Sequence, residues 1–192
     1  MASLKPQTWL YADPHFGHEG IIKMCGRPFA NAAEMNHAMA SSWRSVVRPD
    51  DTVIVVGDFA HRMKPEDLRK LFNSLPGRKH LVCGNHDDKH TRGLGWESQN
   101  DLWHVSVDGQ NLVLCHYPLL TWAKIRRGAL HLYGHTHGRI PGNVQSADIG
   151  VDVMGWAPVR LAQIKEYMAT LPLRVDPEVG GDDFEATEVP TP

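Results

Sequence analysis

Short apolar runs alternate with amphipathic stretches through the first half of this chain. Residues 7–12 read as a first strand, ending in the Pro- and Gly-punctuated loop Asp13-Pro14-His15-Phe16-Gly17-His18. Residues 19–25 suit a short helix closed by Gly26 and Pro28. Asn31 with Glu34 forms a capping-box-like start, and Met35, Met39 and Trp43 follow at helical spacing as far as Val46-Val47. The methionine stripe reads as core. Residues 51–56 form a continuous β-branched run, the mark of a strand buried on both faces, and end at Gly57-Asp58. Pro65 opens a helix through Leu75, with Leu68, Leu71, Phe72 and Leu75 on one face, and Pro76-Gly77 stop it. Residues 79–83 predict a third strand, ending at Gly84-Asn85-His86-Asp87.

The second half changes character. Residues 102–107, the turn Asp108-Gly109 and residues 111–115 predict a β-hairpin that ends at His116. A strand over 129–133 leads into Gly134-His135-Thr136-His137; strands are expected over 146–153 and 158–161, and a helix over 163–170. The alternation of strands and helices indicates an α/β fold with mixed sheets. One domain is expected over 1–171, followed by an acidic, disordered tail over 172–192.

Composition narrows the class. The chain has 192 residues and no apolar run long enough to span a bilayer, and its N-terminus lacks a secretory pattern, so a cytoplasmic protein is expected. Cys25, Cys83 and Cys115 are few, odd in number and dispersed, which argues against a disulfide framework or a cysteine-rich zinc site. Six acids follow Arg174; without them the chain carries 20 basic residues against 16 of its 22 acids, a mildly basic body suited to an anionic substrate. The small excess and the lack of a basic stripe disfavour long nucleic acid as a substrate.

The strand ends carry the chemistry. They bear Asp13 and His15, then Asp58, then Asn85 and His86, then His116, then His135 and His137. Ligands of open α/β sheets bind beyond the carboxyl ends of the strands, so these oxygen and imidazole groups converge on one rim. A set of Asp, Asn and His without Cys selects divalent ions of borderline hardness, such as manganese, iron or zinc. There are too many donors for one tetrahedral ion; two ions bridged by a carboxylate fit better. Two such ions against Asp13 and Asp58 leave a site of about +2, which attracts phosphate and stabilises charge developing on its oxygens.

In order, Asp13-x-His15, Gly57-Asp58, Gly84-Asn85-His86-Asp87, His116 and Gly134-His135-Thr136-His137 resemble the five motifs of the calcineurin-like metallophosphoesterase superfamily. The loop from Asp13 to His18, with Gly26-Arg27-Pro28-Phe29 after it, further resembles a small bacterial and phage branch. The resemblance implies a four-layer α/β/β/α sandwich and hydrolysis of a phosphate ester by a hydroxide held between two divalent ions. Manganese is the first choice, with iron, zinc or nickel as alternatives. It implies one metal on Asp13, His15 and His137, a second on Asn85, His116 and His135, and Asp58 shared between them. His86 would serve the leaving group, completing a catalytic set with Asp58 and Asn85.

Phe59-Ala60-His61-Arg62 after Asp58, and Asp87 after His86, depart from the protein-phosphatase pattern. The expected activity is therefore a phosphodiesterase acting on a small phosphate ester or nucleotide. A phosphomonoesterase of loose specificity and a metal-binding scaffold without turnover are the alternatives. His18 and His61 are further candidates to face substrate, and Arg27, Arg62, Arg126, Arg127 and Arg139 are candidate phosphate grips, each more ordinary as a solvated surface residue. Asp148 and Asp152 could orient a metal-bound imidazole or simply shape a turn. Trp96, Trp103, Trp122 and Trp156 are expected mainly in packing. Thr136 is expected only to set the spacing between its two histidines.

Overall fold

A computed structural model describes residues 7–175. Two four-stranded sheets lie at its centre. The first contains β1 (Thr8–Tyr11), β2 (Thr52–Val56), β3 (Arg78–Val82) and β4 (Ser98–Asn100) in that order, all parallel. The second contains β5 (Leu102–Val107), β6 (Gln110–Cys115), β7 (Leu130–Tyr133) and β8 (Ser146–Asp148); β5 and β6 form the expected antiparallel hairpin and the remaining pairings are parallel. At the hairpin tip Asp108 and Gly109 both have positive φ, 48° and 79°, as a two-residue turn of this hand requires.

The alternation of side chains along each strand explains the layers. On the first sheet Tyr11, Val53, Val55 and Leu81 face α2 (Ala32–Val46) and α3 (Pro65–Ser74), meeting Met35, Met39, Trp43, Leu68 and Phe72. Asn31 caps α2, its side chain accepting from the Glu34 amide at 2.9 Å. The opposite faces, with Leu10, Ile54, Val56 and Val82, pack against Leu112, Leu114, Leu130 and Leu132 of the second sheet. Helix α6 (Leu161–Met168) adds Leu161, Ile164 and Met168 to that inter-sheet core. On the far side of the second sheet, Val113 is covered by Trp122, Ile125 and Ala129 around a 3-10 turn, Ile125–Arg127. The molecule is thus the expected α/β sandwich, its fourth layer a thin one.

Four segments differ from the sequence-based expectation. The strand expected over 146–153 stops at Asp148, and Val151–Met154 forms a helical turn, α5. The Asp148 carboxylate causes the break: it accepts from the Gly150 amide at 2.7 Å and the Gly138 amide at 2.9 Å, pulling the chain out of the ladder. The strand expected over 158–161 is a single antiparallel bridge between Leu10 and Val159, and Leu161 already opens α6. Two short elements had no periodic signal: β4, and a helical turn α4 (Lys89–Arg92) capped by Asp88. Helix α1 (Glu19–Cys25) has its expected bounds. The tail expected over 172–192 lies outside the described residues from 176 onward, and the expected domain boundary at 171 is correspondingly untouched. No helix among the described residues is long and apolar enough to cross a membrane.

Candidate metal centre

The parallel registers bring the predicted strand ends together. Beyond β1 and β2 the chains remain tied, Asp13 N donating to Gly57 O at 3.2 Å and His15 N to Asp58 O at 3.0 Å. Asp13, His15, Asp58, His135 and His137 all have left-handed backbones, with φ of 54°, 52°, 54°, 68° and 51°. Left-handed φ is costly for residues with a Cβ, and its concentration here marks strain held by the fold at a site of chemistry. Gly57 and Gly134 supply the close approaches: a Cβ on Gly57 would overlap the His116 ring, and one on Gly134 would overlap the Asp13 carboxylate.

Two donor groups result. Asp13, His15 and His137 have ligand atoms all within 4.8 Å of one another, as do Asp58, His116 and His135. Asn85 Oδ1 joins the second group, 3.1 Å from His116 Nε2 and 3.0 Å from His135 Nδ1. Asp58 lies between the groups: its Oδ2 is 3.4 Å from His15 Nε2 and 3.3 Å from His116 Nε2. His86 belongs to neither group; its amide donates to Asp58 Oδ1 at 2.8 Å and its ring centre is 5.3 Å from that of His15. Every residue singled out from the strand ends is therefore in one cluster, and His135 and His137 fall into different groups.

The cluster fits divalent cations on its own chemistry. Asp13 Oδ1 and both ring nitrogens of His15 are buried and have no hydrogen-bond partner, a costly arrangement that a cation relieves. Burial pushes the Asp13 carboxyl well above the usual carboxylate range, against the pull of His116, and the neighbouring Asp148 and Asp58 push it further. Burial likewise pushes His15 down to about 2. Asp58 and His116 polarise each other: burial opposes both charges, but Asp58 is held low by His116, and His116 is held high by Asp58 and Asp13. Like-charged carboxylates and crowded imidazoles both gain from a positive ion between them.

A supporting layer fixes the donors. His116 Nδ1 faces Val56 O at 3.2 Å, which leaves Nε2 for a ligand role. His137 Nδ1 donates to Asp152 Oδ2 at 2.7 Å. Arg27 is neither a phosphate grip nor the solvated surface residue it was more ordinarily expected to be: it is buried and grasps Asp152 with two bonds of 2.9 and 2.8 Å while donating to Asp13 O and Pro14 O. Burial alone would raise the Asp152 carboxyl; His137 and Arg27 outweigh it and hold it below the usual range. Asp152 thus orients an imidazole, one of the two readings its spacing allowed. Cys25 also lies near His137 and Asp152, but that edge of His137 already donates to Asp152.

Thr136 does more than space the two histidines. Its hydroxyl donates to Asp148 Oδ2 at 2.5 Å, joining the His135–His137 turn to the end of β8. Asp87 was noted only as the last residue of its motif, and its structural role was not anticipated. Its buried carboxylate accepts from three amides, Asp58 N at 2.9 Å, Phe59 N at 2.8 Å and Gly84 N at 2.8 Å, and so clamps the β2 and β3 loops together. A carboxylate directly after the Asn85-His86 pair was the available signal. Of the other candidates, His18 and His61 do reach the site, their ring centres 4.3 Å apart. Arg62, Arg126, Arg127 and Arg139 are exposed. Trp96 packs on Phe59 and Phe72, Trp156 on Phe29, and Trp122 is buried, as expected for packing residues.

With two sheets whose strand ends build a cluster of carboxylates and imidazoles, the molecule has the plan of a metal-dependent phosphoesterase. Residues 18–154 match the calcineurin-like phosphoesterase superfamily domain, and the chain belongs to that superfamily. It is 30% identical over 163 residues to the uncharacterized protein MJ1445 of Methanocaldococcus jannaschii, covering 81% of this chain and 87% of that one. It is 26% identical over 182 residues to the gene 66 protein of Mycobacterium phage L5, covering 78% and 87%. The latter similarity fits a small bacterial and phage branch. Among solved structures, a protein of unknown function from Aquifex aeolicus, AQ665, shares the fold with a TM-score of 0.67 at 22% identity, covering 85% of this chain and all of that one.

Proposed function

We propose that the protein is a binuclear phosphodiesterase that hydrolyses a small phosphate ester or nucleotide. The supporting observation is the position of Asp58 Oδ2, within 3.4 Å of His15 Nε2 and 3.3 Å of His116 Nε2, between two separate donor groups. Asp13, His15 and His137 hold one ion, and Asn85, His116 and His135 the other, with Asp58 shared. Bound ions neutralise phosphate charge and bring the pKa of water toward ~7, which supplies a nucleophile without a protein Ser or Cys. Manganese suits the mixture of carboxylate, amide and imidazole donors.

The chain's own groups then have distinct tasks. Asp58 and Asn85 hold their oxygens at the centre of the cluster. His86, tied through its amide to Asp58 Oδ1, keeps its imidazole free to protonate or hydrogen-bond the leaving oxygen. Asp152 and Arg27 keep the His137 ring turned toward its group. The free cysteines Cys25, Cys83 and Cys115 support a reducing, cytoplasmic setting.

The test is a panel of divalent metals against bis(p-nitrophenyl) phosphate, p-nitrophenyl phosphate, and 2′,3′- and 3′,5′-cyclic nucleotides. The expected result is turnover of diesters above the monoester, with manganese among the active metals. Preference for the monoester would make the protein a phosphomonoesterase, and no turnover with any metal would make it a binding scaffold.

A further inference from the structure

Four imidazoles close a ring beside the metal centre, His18 returning to within 5.3 Å of His15, and two of them, His18 and His61, have no task in the reaction described so far. The His15 and His86 ring centres are 5.3 Å apart, His86 and His61 4.6 Å, and His61 and His18 4.3 Å. His18 and His61 come from different loops, yet their placement is fixed. Phe16 bridges Ala60, the His61 amide donates to Phe16 O at 2.9 Å, and the Gly17 amide donates to Asn36 Oδ1 at 2.8 Å. Both rings are half-buried, and the Nδ1 of His18 is buried without a hydrogen-bond partner.

Beside them stands Arg62, exposed, with a left-handed φ of 54° and no ion pair among the described residues. Its charge reaches both His18 and His61, where burial first and the neighbouring imidazoles next already disfavour a positive ring. A neutral imidazole still offers one N–H donor. The carboxylates facing His61 are Asp58 and Asp88. Asp58 belongs to the metal centre, and Asp88 caps α4 through the amides of His90 and Thr91. The cluster is therefore a set of donors and one fixed positive charge without a dedicated acceptor, which is the composition of an anion site.

Its position says which anion. His86 is the group proposed to serve the leaving oxygen; His61 lies against it, ring centres 4.6 Å apart, and His18 sits beside His61, 6.0 Å from His86 and 5.3 Å from His15. We propose that His18, His61 and Arg62 form a second phosphate subsite, which receives a phosphoryl group carried on the leaving group of the substrate. The substrate class is then a nucleotide-type ester bearing a second phosphoryl group close to the scissile one. A plain dialkyl or diaryl diester fills only the metal centre. The inference rests on the phosphoesterase reading for its geometry and adds the substrate class to it.

Calorimetry on the manganese-loaded protein tests it, with adenosine 3′,5′-bisphosphate compared with adenosine 5′-monophosphate. The wild-type protein is expected to bind the bisphosphate at least tenfold more tightly. Arg62→Ala and His61→Ala are each expected to reduce that ratio several-fold, Arg62→Ala while leaving monophosphate affinity unchanged. Arg62→Ala is also expected to hydrolyse bis(p-nitrophenyl) phosphate at the wild-type rate, and because Arg62 is exposed it carries the test if His61→Ala does not fold. Equal affinity for the two nucleotides, or a preference that survives in Arg62→Ala, overturns the subsite. A bisphosphate preference lost in the variants, in a protein that turns over no aryl ester, sinks the phosphodiesterase reading and leaves the subsite standing.

Discussion

Removing the Asp152 carboxylate isolates the layer that supports the metal centre. The Arg27 side chain is fully buried and that of Asp152 is 7% exposed, and the pair shares two charge-assisted bonds of 2.9 and 2.8 Å. Breaking a buried ion pair by deleting one partner costs about 3–5 kcal/mol, because the other charge is left without compensation. Arg27 retains its bonds to the carbonyls of Asp13 and Pro14, both 2.9 Å, so the lower end applies. Asp152→Ala should then cost about 3 kcal/mol, equivalent to a fall in Tm of roughly 6–12 °C for a chain of this size. Urea denaturation of metal-stripped protein gives the stability directly. Arg27→Met and the double variant complete the cycle, and a coupling of about 2 kcal/mol is expected between the two sites. Additivity within ~0.5 kcal/mol would refute the pair as a unit. The same Asp152→Ala change frees the His137 ring, and should weaken metal binding by about 10–100-fold.

His86→Ala should leave the metal content unchanged and lower kcat by on the order of a hundredfold or more; a fall in metal content by elemental analysis would make His86 a ligand instead. Asp87→Asn keeps one acceptor oxygen but turns an NH2 toward at least one of the three buried amides now bonded to the carboxylate. Its expected cost is about 1–3 kcal/mol in chemical denaturation, and a stability equal to wild type would remove its role as a clamp. Asp51 provides the pH test: burial raises its carboxyl, but bonds from Trp9 Nε1 and the amides of Gln7 and Arg48 outweigh that and hold it below its ordinary value. A depressed carboxyl contributes stability that is full above its unfolded pKa of ~3.9 and is lost as pH falls through the folded value. The destabilisation caused by Asp51→Asn should therefore shrink between pH 7 and pH 3, and an equal penalty at both would contradict it.

The strand ends were legible because each ligand follows an apolar run whose strand character needs no tertiary information. Val53–Val56 could only be a buried strand, so Asp58 could only stand at its end. Groups that act through one another were far less visible. Arg27 looks like any exposed arginine until Asp152, 125 positions away, is folded against it. The run Ala147, Ile149, Val151 and Val153 alternates like a strand, but the local bonds of the Asp148 side chain to Gly150 and Thr136 override that period. The polar strand Ser98–Asn100 is held by its ladder to β3 and by side-chain bonds of Ser98 and Gln99, and carries no hydrophobic signal. The left-handed backbones of Asp13, His15, Asp58, His135 and His137 are uncommon for any residue with a Cβ, though Asp and His tolerate them better than most, and no periodic pattern announces them.

The central claim is that His135 and His137 serve different ions joined by Asp58. Anomalous diffraction from crystals grown with manganese tests it most directly. Two peaks are predicted, one among Asp13, His15 and His137 and the other among Asn85, His116 and His135, with the Asp58 carboxylate touching both. A single peak coordinated by both His135 and His137 would contradict the account.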